Sequence, residues 1–178
     1  IKATKKVEKI AEIDNNEIAL EKNSSGNDRL TVKYGNKKIS FEILRMDDPR
    51  ATVCGEKIFS DCCQSIGGAG ESCLKHSQES RNGGILEIKA EDGTFLGQSW
   101  CWVNGNVLCF DSAELKGLDQ NKNMSDKEKE EYLSMIKIGY EQMAKRMLEE
   151  SNKKVEEYIN QQKAKAVLEY GKDSYEYK

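Results

Sequence analysis

The chain has 178 residues, 37% of them hydrophobic and 33% charged, with a formal net charge of -3. That length and balance suit one ordinary folded domain with a modest core and room for an appendage. They exclude the basic balance of a nucleic-acid-binding domain, and no apolar run in the sequence approaches the roughly 20 residues of a membrane span. The N-terminal stretch IKATKKVEKI has no apolar segment of the kind a signal peptide carries. The expected partners therefore include neither nucleic acid nor membrane, and the expected compartment is the cytoplasm.

Residues 1–28 are polar, and IAEIDNNEIALEK could form short strands or a short helix. RLTVKY and KKISFEIL then alternate apolar and polar residues around Gly35-Asn36, which predicts a hairpin. The only proline, Pro49, follows Asp47-Asp48 and marks a bend. A cysteine- and glycine-rich segment fills 54–84. The run GILEIKAEDGTFLGQSWCWVNGNVLCFDSAEL follows, with Asp92-Gly93 and Asn104-Gly105 as two-residue turns, and predicts an antiparallel three-stranded meander over 84–115. In that register Leu86 faces Ser99, Ile85 faces Trp100 and Cys101 faces Leu108. One face would carry Leu86, Ile88, Phe95, Cys101, Val103, Leu108 and Phe110. The other would carry Ile85, Glu87, Lys89, Leu96, Gln98, Trp100, Trp102, Val107, Cys109 and Asp111. Cys101 and Cys109 fall on opposite faces and cannot pair with each other.

Ser125-Asp126-Lys127-Glu128 is a capping-box pattern opening a helix. Leu133, Ile136, Tyr140, Met143 and Met147 give that helix one apolar stripe. Ser151-Asn152 weakens the pattern, a second helical stretch carries Val155, Tyr158 and Ile159, and Gly171 suggests a stop. The expected fold is α+β or α/β, a mainly antiparallel mixed sheet with helices packed on it. Residues 1–118 would form the core, and 119–178 a helical region packed on it or extending from it. The helical stripe could also join copies of the chain.

Six cysteines could make three disulfides in a small secreted protein, but a chain with this much regular structure does not need them, so reduced thiols are expected. The segment CCQSIGGAGESCLKH holds three of those cysteines and the only histidine. Cys73 and His76 have the spacing of a zinc-ligand pair, and Cys54, Cys62 or Cys63 could complete a site. Adjacent cysteines rarely both ligate one ion, so buried free thiols with a surface histidine are the preferred reading. Cys73 and His76 could also pair as nucleophile and base, but no third orienting group is apparent. Gln64 to Gly70 could cradle a phosphate ahead of a helix over Glu71 to Ser80, although Glu71 would repel an anion and no Walker lysine follows. On the meander, Gln98, Trp100, Trp102 and Asp111 could line a small-molecule cleft.

Residues 84–150, the meander and the amphipathic helix after it, resemble the central sheet of the GNAT acyltransferase superfamily. Asp92-Gly93, Leu96-Gly97-Gln98 and Val107 to Ala113 look like that family's acidic turn, glycine-bearing strand and third strand. The resemblance implies acyl-CoA as cofactor, bound at the third strand, and an amine acceptor, small molecule or protein. It also implies a general base at Asp111 or Glu114. The family's loop pattern Q/R-x-x-G-x-G/A is matched by Gln64-Ser65-Ile66-Gly67-Gly68-Ala69, which lies before the meander. Gln64, Gly67, Gly68 and Gly70 would shape the cofactor or acceptor pocket together with Ser112, and Gln98, Trp100 and Trp102 would contact substrate. The rival expectation is a non-enzymatic interaction module, with its Cys62–His76 segment held by zinc or by packing alone.

Overall fold

The structure is a computed structural model that describes residues 7–45, 48–54, 67–79, 83–104, 107–111 and 113–170. Seven strands form one sheet in simple chain order. They are β1 (Glu8–Ile13), β2 (Asn16–Lys22), β3 (Asp28–Tyr34), β4 (Lys37–Leu44), β5 (Gly84–Ala90), β6 (Phe95–Asn104) and β7 (Val107–Phe110). Every neighbouring pair is antiparallel. A 3₁₀ turn (Ala51–Val53) and helix α1 (Glu71–Glu79) lie between β4 and β5, while a one-turn helix α2 (Lys116–Asp119) and the long helix α3 (Asp126–Tyr170) follow β7. This is the α+β class, with the meander and long helix the sequence predicts.

Local chemistry sets the turns. Asp14 and Asn15 adopt φ of 49° and 63°, both positive as a type I′ hairpin requires, and this makes the ambiguous N-terminal stretch two strands. Gly35, at φ 57°, opens the two-residue link that pairs Tyr34 with Lys37. Asp48 to Ala51 closes a turn with Pro49 at its second position, since Ala51 N donates to Asp48 O.

The first meander hairpin keeps the expected register from Ile85–Trp100 to Ile88–Gly97 and differs only near its turn, whereas the second is shifted throughout. In the first, Ala90 N donates to Thr94 O and Gly93 N to Ala90 O, with Gly93 at φ 88°. The link is thus the three-residue loop Glu91-Asp92-Gly93, which places glycine in the left-handed position after a turn. Ile88 pairs with Gly97 but Lys89 pairs with Phe95, leaving Leu96 as the extra residue of a bulge. An uninterrupted alternation puts Phe95 with the core residues and Leu96 opposite them; the bulge instead sets Phe95 beside Lys89 and buries Leu96 completely. In the second hairpin Asn104 pairs with Val107, so Cys101 faces Phe110 rather than Leu108. A two-residue slip preserves the faces, and Cys101 and Cys109 stay on opposite sides.

Residues 1–144 and 145–178 form two compact units. In the first, one sheet face is a continuous core of Ile18, Leu30, Val32, Ile39, Phe41, Leu86 and Ile88, all fully buried. The first part of α3 packs on it through Met135, Ile136, Ile138 and Met143. Gly139 makes the approach close: a Cβ there would lie 2.1 Å from the Phe41 ring. The expected stripe holds at Ile136, Met143 and Met147, which are buried, and at half-buried Tyr140, while Leu133 is exposed. Its start is the expected capping box, Ser125 N donating to Glu128 Oε2 at 2.9 Å and Glu128 N to Ser125 Oγ at 3.3 Å. The second unit is helical through Tyr170, and the helix runs unbroken through Ser151-Asn152, correcting the expected interruption. Among the described residues no helix is long and apolar enough to cross a membrane.

Candidate functional site

The sheet's other face is built around a buried polar row. Glu42 on β4 pairs with Glu87 on β5, Glu87 with Gln98 on β6, and Gln98 with Glu114 in an isolated bridge. Glu42, Glu87 and Gln98 are 4%, 2% and 0% exposed, so their charges and dipoles need partners. Arg29 on β3 reaches Glu42 Oε2 at 3.0 Å. Arg50, delivered by the Asp48-Pro49 turn, donates to Glu42 Oε1 at 2.5 Å and Asp48 Oδ2 at 2.6 Å, and its Nη1 lies 3.7 Å from Glu87 Oε2. Lys89 completes the set at 2.7 Å from Glu87.

The electrostatics follow from this geometry. Burial pushes the Glu42 carboxyl up, but bonds from Arg50, Asn23 and Arg29 outweigh it and leave the pKa below its ordinary value. Arg50, bound by Asp48 and then by Glu42, is held firmly protonated. A cleft of about 220 Å³ opens over this region, with Thr31, Ser40, Lys38 and Glu21 on its walls.

Beside the row lies an aromatic cluster. Trp100 and Trp102 alternate along β6 onto one face and stack with centroids 4.1 Å apart and an interplanar angle of 24°. His76 on α1 meets both edge-on, at 6.3 Å and 6.2 Å. Trp100 also packs on the buried cluster of Leu44, Ala51, Cys54 and Ile85. The structure thus brings together Gln98, Trp100, Trp102 and the backbone of Glu114, and adds His76.

Asp111 sits at the end of β7. Its N–H donates to Trp100 O at 2.8 Å, and its carbonyl accepts from Ser99 Oγ at 2.8 Å and Tyr140 Oη at 3.1 Å. Ser99 Oγ and Tyr140 Oη are themselves 2.7 Å apart. Burial pushes the Tyr140 phenol up to about 12. Asp111 lines a groove of about 640 Å³ with Phe110, Leu115, Leu133, Ile136, Lys137, Tyr140 and Glu141. Neither tryptophan nor Gln98 lines this groove, although the Asp111 N–H bond to Trp100 O ties the two residues across the strands.

The glycine segment is described from Gly67 onward. Gly67, at φ 79°, donates its N–H to Glu71 Oε2 at 2.9 Å, and Glu71 N donates to Gly68 O at 3.1 Å. The carboxylate of α1's first residue thus occupies an amide that a phosphate would use. Gly70 is buried in the same turn. Gln64, Ser112, Cys62 and Cys63 lie outside the described residues, as does the side chain of Cys73. Among the described residues no group of three His, Cys, Asp or Glu side chains could hold a metal ion. Cys101 is fully buried, donates to Gly84 O at 3.3 Å, and has its thiol pushed up to about 12 by burial, so it is an inert core residue.

Glu42, Arg50 and Arg29 escape a reading of the sequence. In KKISFEIL, Lys38, Ser40 and Glu42 occupy the polar phase of an alternating strand, which reads as a solvated edge. Only the distant turn at Pro49 reveals that Arg50 covers that phase. Glu87 lies on the expected face, but its row is formed by strands far apart in sequence.

The fold and this row define an α+β protein with a seven-stranded antiparallel meander. No family model matches the chain, and neither a curated protein nor a solved structure does.

Proposed function

We propose that the chain is a GNAT-like acyltransferase that passes an acyl group from acyl-CoA to an amine. The observation that carries this reading is the groove at the end of β7. Its apolar wall of Phe110, Leu115, Leu133 and Ile136 suits an acyl-pantetheine arm, and Asp111 stands in the same wall. The chain order supports it: a strand, a helix-bearing segment, a three-stranded meander and then a helix. The amine nitrogen attacks the thioester carbonyl carbon, its proton passes to the Asp111 carboxylate, and the C–S bond breaks to release the CoA thiolate, which takes up a proton. Glu114, three residues on, is the second candidate base. Calorimetry with acetyl-CoA and longer acyl-CoAs tests the reading: binding weakened by Leu133→Asp supports it, and absence of binding to the folded protein ends it.

One observation favours a second reading, a non-enzymatic interaction module. The Trp100–Trp102 stack edged by exposed His76 is an aromatic surface of the type that anchors partners. In this reading the Cys62–His76 segment is held by zinc or by packing. Metal analysis of protein purified without added zinc separates these two: about one zinc per chain, lost in His76→Ala, supports the metal-held module.

A further inference from the structure

We propose that residues 148–163 of α3 associate with the same segment of a second copy as an antiparallel two-helix seam. The part of the helix from Lys145 to Tyr170 would be about 39 Å long at 1.5 Å per residue. Every residue from Asn152 to Lys165 is exposed. Val155, Tyr158 and Ile159 are 52%, 59% and 43% exposed, and Leu148 is 39% exposed. Helices draw most of their stability from packing an apolar stripe, and among the described residues of its unit this stripe is left exposed.

The occupant is argued from the pattern itself. Leu148, Asn152, Val155, Ile159 and Gln162 follow spacings of four and three, which place them on one seam of a heptad repeat. An antiparallel arrangement with its two-fold axis beside Glu157 sets Val155 against Ile159 of the second copy and Asn152 against Gln162 of the second copy. Apolar thus meets apolar, and amide meets amide. The positions flanking the seam then bring Glu149 near Lys163 of the second copy, twice by symmetry. The one unfavourable contact, Glu156 with Glu156 of the second copy, lies near the axis, where both side chains can reach water. A two-fold interface must be self-complementary, and this segment is complementary in apolar, amide and charge terms together. A buried amide pair costs stability but fixes register and orientation.

Sedimentation equilibrium of the full chain over a range of concentrations tests the seam. A monomer–dimer equilibrium is expected, weakened at least tenfold in Ile159→Lys while the thermal transition of residues 1–144 is retained. Glu149→Lys and Lys163→Glu should each weaken the dimer, and the double variant should restore it. A second measurement, spin labels at positions 149 and 163, should read a short distance between 149 on one copy and 163 on the other. A monomer at every concentration overturns the proposal and leaves the face to a different protein. A dimer indifferent to Ile159→Lys also overturns it, as does a double charge swap that weakens association further.

Discussion

The two faces of the sheet reach burial by opposite chemistry. Under α3 the face is almost wholly apolar, and its fit depends on shape, with Gly139 giving way to the Phe41 ring. On the opposite face the same strands bury Glu42, Glu87 and Gln98, and the fit depends on hydrogen bonds and ion pairs. An apolar surface tolerates small misalignments, losing energy roughly in proportion to area and cavity. A buried ionic row tolerates few, because a carboxylate left without its cation carries its full desolvation cost. The polar face thus fixes where the Asp48–Arg50 turn sits on the sheet.

The sharpest way to break this comparison is to remove Arg50. Arg50→Met leaves Glu42 and Asp48 without their shared cation and should cost about 3 kcal/mol in urea unfolding, the low end for breaking a buried pair because Arg50 is partly exposed. Adding Glu42→Gln should recover part of that loss, since the two changes share one interaction. The pH dependence gives the same contrast. Glu42 and Asp48 both have pKa values held below the ordinary ones, so their contribution is complete above pH about 4.5 and declines as pH falls through the lowered folded values. The wild-type protein should lose stability on acidification below that point, and Arg50→Met should lose less. An equal acid response in the two proteins would show that the row does not depend on Arg50.

On the apolar face the corresponding change is Gly139→Val. It adds a branched side chain where even a Cβ would overlap Phe41 Cε2, so α3 must lift from β4. Overpacking of this kind should cost about 2 kcal/mol despite valine's better helix propensity. Phe41→Leu in the same background should return part of it. An unchanged unfolding midpoint for Gly139→Val would mean that the close approach is dispensable.

How far these features were legible in sequence depended on the range of the interactions. The strands from β3 onward, the Pro49 bend and the Ser125–Glu128 cap that starts the long helix rest on signals a few residues apart, and each could be read directly. The meander's faces were legible except at Phe95 and Leu96, because one inserted bulge residue inverts an alternation that the letters alone continue. Gly97 shows what else was hidden: a Cβ there would lie 2.6 Å from Glu114 O, so the residue is required by a segment that crosses β6 seventeen positions later. Of the site, Gln98 and the two tryptophans were legible because hairpin register put them on one face. Glu42, Arg50 and Arg29 were not, because their burial depends on strands and a turn brought together only by the completed sheet. The groove beside Asp111 was hidden for the same reason, since it is made with α3.

Trp102→Ala probes the edge of the polar face and should have a smaller effect. It removes one ring of a stack, and aromatic pairs contribute about 1 kcal/mol beyond area burial, so a loss of about 1–2 kcal/mol is expected from a half-buried position. The near-ultraviolet circular dichroism of the stacked pair should fall with it. If the signal survives intact, the two rings are not coupled in solution.

The smallest expected effect returns to the apolar side, at the polar knot around Ser99. Ser99 is fully buried there, and its hydroxyl meets both Asp111 O and Tyr140 Oη. Tyr140→Phe removes one partner but leaves Ser99 bound to Asp111 O, so no donor is stranded and about 1 kcal/mol should be lost. Ser99→Ala removes the same hydroxyl from the other end and leaves Tyr140 bound to Asp111 O. Because the two changes cut one shared contact, the double variant should cost less than the sum. Full additivity by urea unfolding would mean that the Ser99–Tyr140 contact contributes nothing, and that the carbonyl of Asp111 alone holds the end of β7 against the helix.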